Sequence, residues 1–212
     1  MTLENDLEAA VVALRSGAVV AIPTDTVYGL AVDPSVPGAT AALYEVKARP
    51  ASVELPVLVG SPDDLGRLAE PGPWLGPATR LAARFWPGAL TIAVRRRAGL
   101  DWDLGGDGAT IGLRCPDDEI ARRLCGLVGP LATTSANRHG EHPCHDAGAV
   151  RALFGRRVGV VVDGGPRDGA PSTVVVLGPG GPRCARPGAL AWEQVRAVLE
   201  AGSGRSPAPD PA

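Results

Sequence analysis

No apolar run in this 212-residue chain approaches the roughly 20 residues that a membrane-spanning helix needs. The N-terminus, with Glu4, Asp6 and Glu8, lacks the basic start of a signal peptide, so the expected compartment is the cytoplasm, with no membrane partner. The four cysteines, Cys115, Cys125, Cys144 and Cys184, show no CxxC spacing and read as reduced, mostly packed thiols. There is no GxxxxGK[ST] and no GxGxxG, so any nucleotide must be held by side chains and strand ends. All three histidines share one loop, and no Ser-His-Asp or Cys-His arrangement can be built from them. No internal repeat or composition break divides the chain. One domain is expected over 1–201, with a Gly-, Ser-, Pro- and Ala-rich tail, 202–212, expected to be disordered. A net charge of −2 argues against a protein whose main task is coating nucleic acid, while leaving room for a local basic cleft.

Lysine is scarcest of all. Of 21 basic residues only Lys47 is a lysine. An ammonium is a compact point charge and a guanidinium a planar fork, so a site needing the former would resist replacement; chance survival is the competing explanation. What the chain does have is 45% hydrophobic residues in short periodic segments, with 28 Gly and 21 Pro spread among them, the pattern of a soluble globular protein with many tight connections.

Val19 to Gly29 (VVAIPTDTVYG) starts as a buried strand and turns polar at Pro23, bringing Thr24, Asp25 and Thr26 to its carboxyl end. Open α/β sheets bind ligands at such ends, although an ordinary Ser/Thr turn reads the same way. Before it, Asn5 to Ser16 has helical spacing at Leu7, Val11 and Leu14, stopped by Gly17. Ala39 to Ala48 reads as a helix ended by Pro50, with Lys47 and Arg49 where it runs out. The two cations could converge on an anion or simply be solvated. Leu55 to Gly60 reads as a strand, followed by an N-cap at Ser61 with Pro62 behind it. Pro77 to Trp86 reads as a helix with Phe85 and Trp86 in the core. Ala89 to Val94 is a strand whose exit, Arg95 to Arg97, is solvated or holds a polyanion.

Thr110 to Cys115 is a strand with Arg114 embedded in it. A buried arginine needs a partner, either a protein carboxylate or a ligand anion. Asp117 is placed to cap a helix carrying Ile120, Leu124 and Leu127 on one face. Leu131 to Thr134 is a second strand with hydroxyls and an amide, Ser135 and Asn137, at its end. His139, His142 and His145 do not match zinc spacings and read as a polar loop near the site. A helix from Asp146 to Phe154, strands at Val158 to Val162, Val174 to Leu177 and Arg183 to Arg186, and a helix from Ala191 to Ala201 complete the reading.

Seven stretches now occur in order: PTDTVYGL from Pro23, KARP from Lys47, WPGALT from Trp86, IGLRCP from Ile111, TSAN from Thr134, PSTVV from Pro171 and RPGAL from Arg186. Together, over about Leu7 to Leu199, the chain resembles the YrdC-like family, single-domain form. The resemblance implies an α/β fold, a twisted mixed sheet flanked by helices around a concave, positively charged cavity. It implies a nucleotidyltransferase that condenses L-threonine, bicarbonate and ATP, with Mg²⁺, into L-threonylcarbamoyladenylate and pyrophosphate. That is the first step of threonylcarbamoyladenosine formation on tRNA, so downstream threonylcarbamoyl-transferase proteins are implied partners. Residue by residue, the resemblance puts Lys47 and Arg49 on the ATP phosphates as the catalytic pair, with Thr110, Ser135, Asn137 and Arg186 also on the nucleotide. Thr26, Tyr28, Arg114, Thr133 and Ser172 fall to the threonine, and no resident metal site is implied. Two departures are visible: Leu58 stands where some members have a threonine-contacting histidine, and Pro143 stands where a nucleotide contact is common. Two other functions compete. One is a double-stranded-RNA-binding module using Arg95 to Arg97 and Arg156-Arg157, with RNA or tRNA as partner; the other is a paralogue using another carbamoyl or adenylate substrate.

Overall fold

The computed structural model describes residues 2–138 and 140–201. His139 and the tail expected to be disordered lie outside the described residues. Helix α1 (Leu3–Arg15) starts at Thr2, whose hydroxyl accepts from the Asn5 N–H, and buries Leu7, Ala10 and Leu14. Strand β1 (Val20–Ile22) runs, through the polar Pro23 to Tyr28 segment, into β2 (Gly29–Val32), which returns antiparallel to it. Local pattern gives no strand signal at β2. It is four residues long and buried throughout, so no alternation of polar and apolar residues marks it.

Helix α2 (Ala39–Lys47) ends one residue before expected, at Ala48, which holds the left-handed conformation with φ of 51°. Strand β3 shrinks from Leu55–Gly60 to Val57–Leu58, because Pro56 has no N–H to give and Leu55 bonds instead to the Leu104 carbonyl. A 3-10 turn at Pro62–Asp64, boxed by Ser61 and Asp64, leads into α3 (Leu65–Leu68), and α4 (Leu75–Phe85) follows. Strands β4 (Leu90–Arg95) and β5 (Thr110–Arg114) pair antiparallel. The cap of α5 (Glu119–Val128) is Asp118, not Asp117. The Asp118 carboxylate accepts from the Ala121 N–H at 2.9 Å, while Asp117 sits outside and pairs with Arg122. Leu127, expected on the apolar face, is 48% exposed.

Strand β6 (Leu131–Ser135), helix α6 (Ala147–Phe154), and strands β7 (Val160–Val161), β8 (Thr173–Val176) and β9 (Arg183–Arg186) follow, closed by α7 (Trp192–Ala201). The nine strands form one mixed sheet in the order β7-β1-β2-β6-β3-β5-β4-β8-β9. The α1 and α5 helices bury Leu14, Leu124 and Leu131 against part of it. A larger cluster with Leu43, Leu81, Phe154 and Val195 gathers α2, α4, α6 and α7. This is the twisted mixed α/β sheet flanked by helices that the motifs implied. No helix among the described residues is long and apolar enough to cross a membrane.

Candidate active site

A cavity of about 460 Å³ opens over the middle and one end of the sheet. Nine of the eleven expected site residues line it: Thr26, Tyr28, Arg49, Thr110, Arg114, Thr133, Ser135, Ser172 and Arg186. Lys47 and Asn137 stand directly behind Ser135 rather than on the wall. Leu58 and Pro143, the two departures, both line it.

At one end the segment between β1 and β2 is held by Thr24. Its hydroxyl donates to the Val27 carbonyl at 2.7 Å and receives the N–H groups of Thr26 and Val27. The turn and the ligand-end readings therefore coexist, for Thr24 ties the turn while Thr26 faces the cavity. Arg114, 6% exposed, donates through Nη1 to the Thr26 hydroxyl at 3.1 Å, through Nε to the Gly88 carbonyl, and through Nη2 to Asp25 at 2.5 Å. Its partner within the chain is thus a carboxylate. A guanidinium has five donors, so lining the cavity leaves it able to take a second anion. Burial pulls the Arg114 pKa down, with Asp25 opposing and Arg186 adding to the shift. Tyr28 shapes the wall from behind, its hydroxyl donating to the Gly165 carbonyl and accepting from the Gly164 N–H.

The other cations have no carboxylate. Lys47 is 3% exposed, and its ammonium donates to the Ser135 carbonyl and the Asn137 side chain, both at 2.5 Å. Desolvation, with Arg49 adding repulsion, brings it down to about 8. Arg49 donates to the Thr134 hydroxyl at 3.2 Å and the Glu54 carbonyl at 2.9 Å, and its buried Nε has no partner. Arg186 leans on Ser172, reaching its carbonyl at 2.8 Å and its hydroxyl at 3.0 Å. Burial lowers Arg49 and Arg186 as well, and Arg186 repels both Arg49 and Arg114. Three basic groups, Lys47, Arg49 and Arg186, thus converge on neutral oxygens, an arrangement that an entering polyanion stabilises.

Sequence reasoning missed Glu54, Thr91, Thr134 and Arg183, which also line the cavity. Strand alternation would put Arg183 and Arg186 on opposite faces. A register shift between Val174 and Val175 turns both to the same one. The exit of β4 is solvated at Arg95, which is exposed and pairs with Glu70, while Arg97 donates to the Gly66 carbonyl; Arg157, named for the RNA alternative, is exposed and donates to the Leu153 carbonyl. His142 and His145 are exposed, and their loop is pinned to the site through Cys144, whose N–H donates to Ala136 and whose carbonyl accepts from Tyr28. Among the described residues no group of three or more His, Cys, Asp or Glu could hold a metal ion. Cys115, Cys125 and Cys144 are buried and all four thiols are free.

The chain is similar to several known proteins. The Sua5/YciO/YrdC family model, described as telomere recombination, matches residues 12–188. A protein from Mycobacterium tuberculosis is 40% identical over 191 residues, covering 90% of this chain and 87% of its own. The "Threonylcarbamoyl-AMP synthase" of Bacillus subtilis is 36% identical over 216 residues; the alignment covers 93% of this chain and 58% of that longer protein. The crystal structure of P. abyssi Sua5 complexed with L-threonine superposes with a TM-score of 0.85 at 34% identity, over 93% of this chain and 58% of that one.

Proposed function

The chain belongs to the Sua5/YciO/YrdC family, and from that premise we propose that it condenses L-threonine, bicarbonate and MgATP into L-threonylcarbamoyladenylate, releasing pyrophosphate. The observation that carries the proposal is the convergence of Lys47, Arg49 and Arg186 on neutral partners beside a cavity whose far end holds Arg114 and Thr26. A triphosphate needs several uncommitted cations, and a small zwitterion needs a fork for its carboxylate with hydroxyls beside it.

In this reading the Arg114 fork and the hydroxyls of Thr26, Thr133 and Ser172 seat the threonine, with Tyr28 behind them. Its neutral amine takes up bicarbonate with loss of water. The resulting carbamate oxygen then attacks the α-phosphorus, and the bond to the β,γ-pyrophosphate breaks. The chain supplies no nucleophile. Lys47, Arg49 and Arg186 hold the phosphates in line and offset charge as it moves to the leaving pyrophosphate. Ser135 and Asn137 fix Lys47 and contact the nucleotide, and Thr110 lies on the nucleotide side. Mg²⁺ arrives on the triphosphate as part of the substrate, since the lining offers a single carboxylate, Glu54, already engaged by Thr110. The product, a mixed anhydride, would pass to transferase proteins that act on tRNA, and 1–201 would form the catalytic unit.

The test is pyrophosphate release from ATP. It is expected to require both threonine and bicarbonate, and to fall at least a hundredfold in Lys47→Ala and Arg114→Ala (about 3 kcal/mol for a lost charged contact). Release that ignores threonine would overturn the reading.

A further inference from the structure

The cavity floor has an order that the function above does not use. Three rows of residues cross the sheet: Thr91, Val174 and Arg186; then Gly112, Ala93, Val176 and Arg183; then Thr110 opposite Arg95. On β5 the cavity-facing positions are Arg114, Gly112 and Thr110, spanning about 13 Å from first to last. The first row ends in Arg186, and the middle row ends in Arg183 beyond Val176. Only its part on β4 and β5 is low, with no side chain at Gly112 and only a methyl at Ala93. That low, sheet-backed part of the cavity floor suits the face of a nucleobase.

At the end of that surface Thr110 does not stand alone. Its hydroxyl donates to Glu54 Oε2 at 2.8 Å. A carboxylate oxygen accepts, so the Thr110 proton is committed to Glu54 and the outward lone pairs of Thr110 Oγ1 can only accept. Glu54 is itself fixed from behind, because its carbonyl takes Arg49 Nη2. Its Oε1 is buried without a partner, an expense that a plain cavity wall would shed by using an apolar residue. Burial also raises the Glu54 pKa, with the Thr110 hydrogen bond opposing the shift.

We infer that Glu54, acting through Thr110, is a positioning residue that makes the base end of the cavity read a hydrogen-bond donor, the exocyclic amino group of a 6-aminopurine, and reject a 6-oxopurine. The inference rests on the synthase reading for the placement of the nucleotide, and it extends that reading to base selection. A 6-oxo group would bring a lone pair against the lone pairs of Thr110 Oγ1, with no proton between them.

The experiment compares ATP with ITP, which differ at the 6-position, both in calorimetric binding without threonine and in threonine-dependent pyrophosphate release. The wild type is expected to bind ATP about tenfold more tightly than ITP. In Thr110→Val the acceptor is gone, and in Glu54→Leu the threonine hydroxyl is free to turn and donate. In both, the ATP-to-ITP ratio is expected to fall toward one while the KM for threonine stays unchanged. A purely structural role for Glu54 would weaken both nucleotides equally and leave the ratio alone. If Glu54→Leu does not fold, Thr110→Val decides by itself. A wild type without preference, or variants that keep its ratio, would overturn the inference. A wild type that binds ATP selectively but releases no pyrophosphate with threonine would instead overturn the synthase reading and leave base selection standing.

Discussion

At the scale of single residues, the site is defined by which charges have partners. Arg114 has Asp25; Lys47 has only oxygens of Ser135 and Asn137. The two should therefore respond differently to change. Removing the guanidinium in Arg114→Met strands a carboxylate that is 16% exposed, which is expected to cost about 3 kcal/mol in urea denaturation. Adding Asp25→Asn should recover most of that stability without restoring threonine binding.

Lys47 titrates near 8 when folded, below the ordinary lysine value of 10.5. The unfolded state then binds more protons between those two pH values, so the free enzyme gains stability as pH rises through that window. Below about 8 the buried ammonium is a standing cost. ATP binding should behave oppositely. It needs the ammonium, so affinity is expected to be flat below pH 8 and to weaken about tenfold per pH unit above it. Calorimetric titrations from pH 7 to 9.5 check this, and Lys47→Met should remove the slope.

At the scale of elements, the end of α2 sets the direction of both cations proposed to hold the phosphates, Lys47 and Arg49. Ala48 adopts the left-handed conformation, sending Lys47 toward the end of β6 and letting Arg49 turn to Thr134 and Glu54. A side chain there is strained by about 1–2 kcal/mol. Ala48→Gly should therefore stabilise the fold by about 0.5–1 kcal/mol, after the extra entropy of the unfolded glycine is offset, and leave catalysis unchanged. Ala48→Val should do the reverse. Chemical denaturation together with ATP turnover separates the two effects.

At the scale of the whole molecule, the cavity is closed by segments far apart in the chain. Gly188 sits against the loop that carries Ser172, and a Cβ at 188 would lie 2.3 Å from the Pro171 carbonyl oxygen. Gly188→Ala must push that loop, and with it the hydroxyl supporting Arg186. Turnover is expected to fall more than tenfold, with most of the change in kcat/KM for ATP and threonine together.

Much of this was legible beforehand. The helices α1, α4 and α7 and the strands β4, β5 and β6 follow from period and caps, and the resemblance carried by seven motifs pointed to nine residues that line one cavity. What failed was short or fully buried: β2 has no alternation to read, β3 is cut down by Pro56, and the α5 cap shifted by one because two aspartates stand side by side. Within the site, Glu54 and Arg183 gave no local signal, since one is a lone acid between apolar residues and the other is turned inward by a bulge.

Residue type and local spacing, which act within a turn or a strand, were enough by themselves to determine most element classes, and the seven motifs carried the resemblance that pointed to the family and to nine of the residues lining the cavity. Which charges are partnered, that Lys47 is buried without a carboxylate while Arg114 has Asp25, and that Glu54 claims the Thr110 proton were decided by tertiary structure alone. Those contacts join residues 56 to 90 positions apart, and pairings over such distances depend on sheet register, which no local pattern encodes.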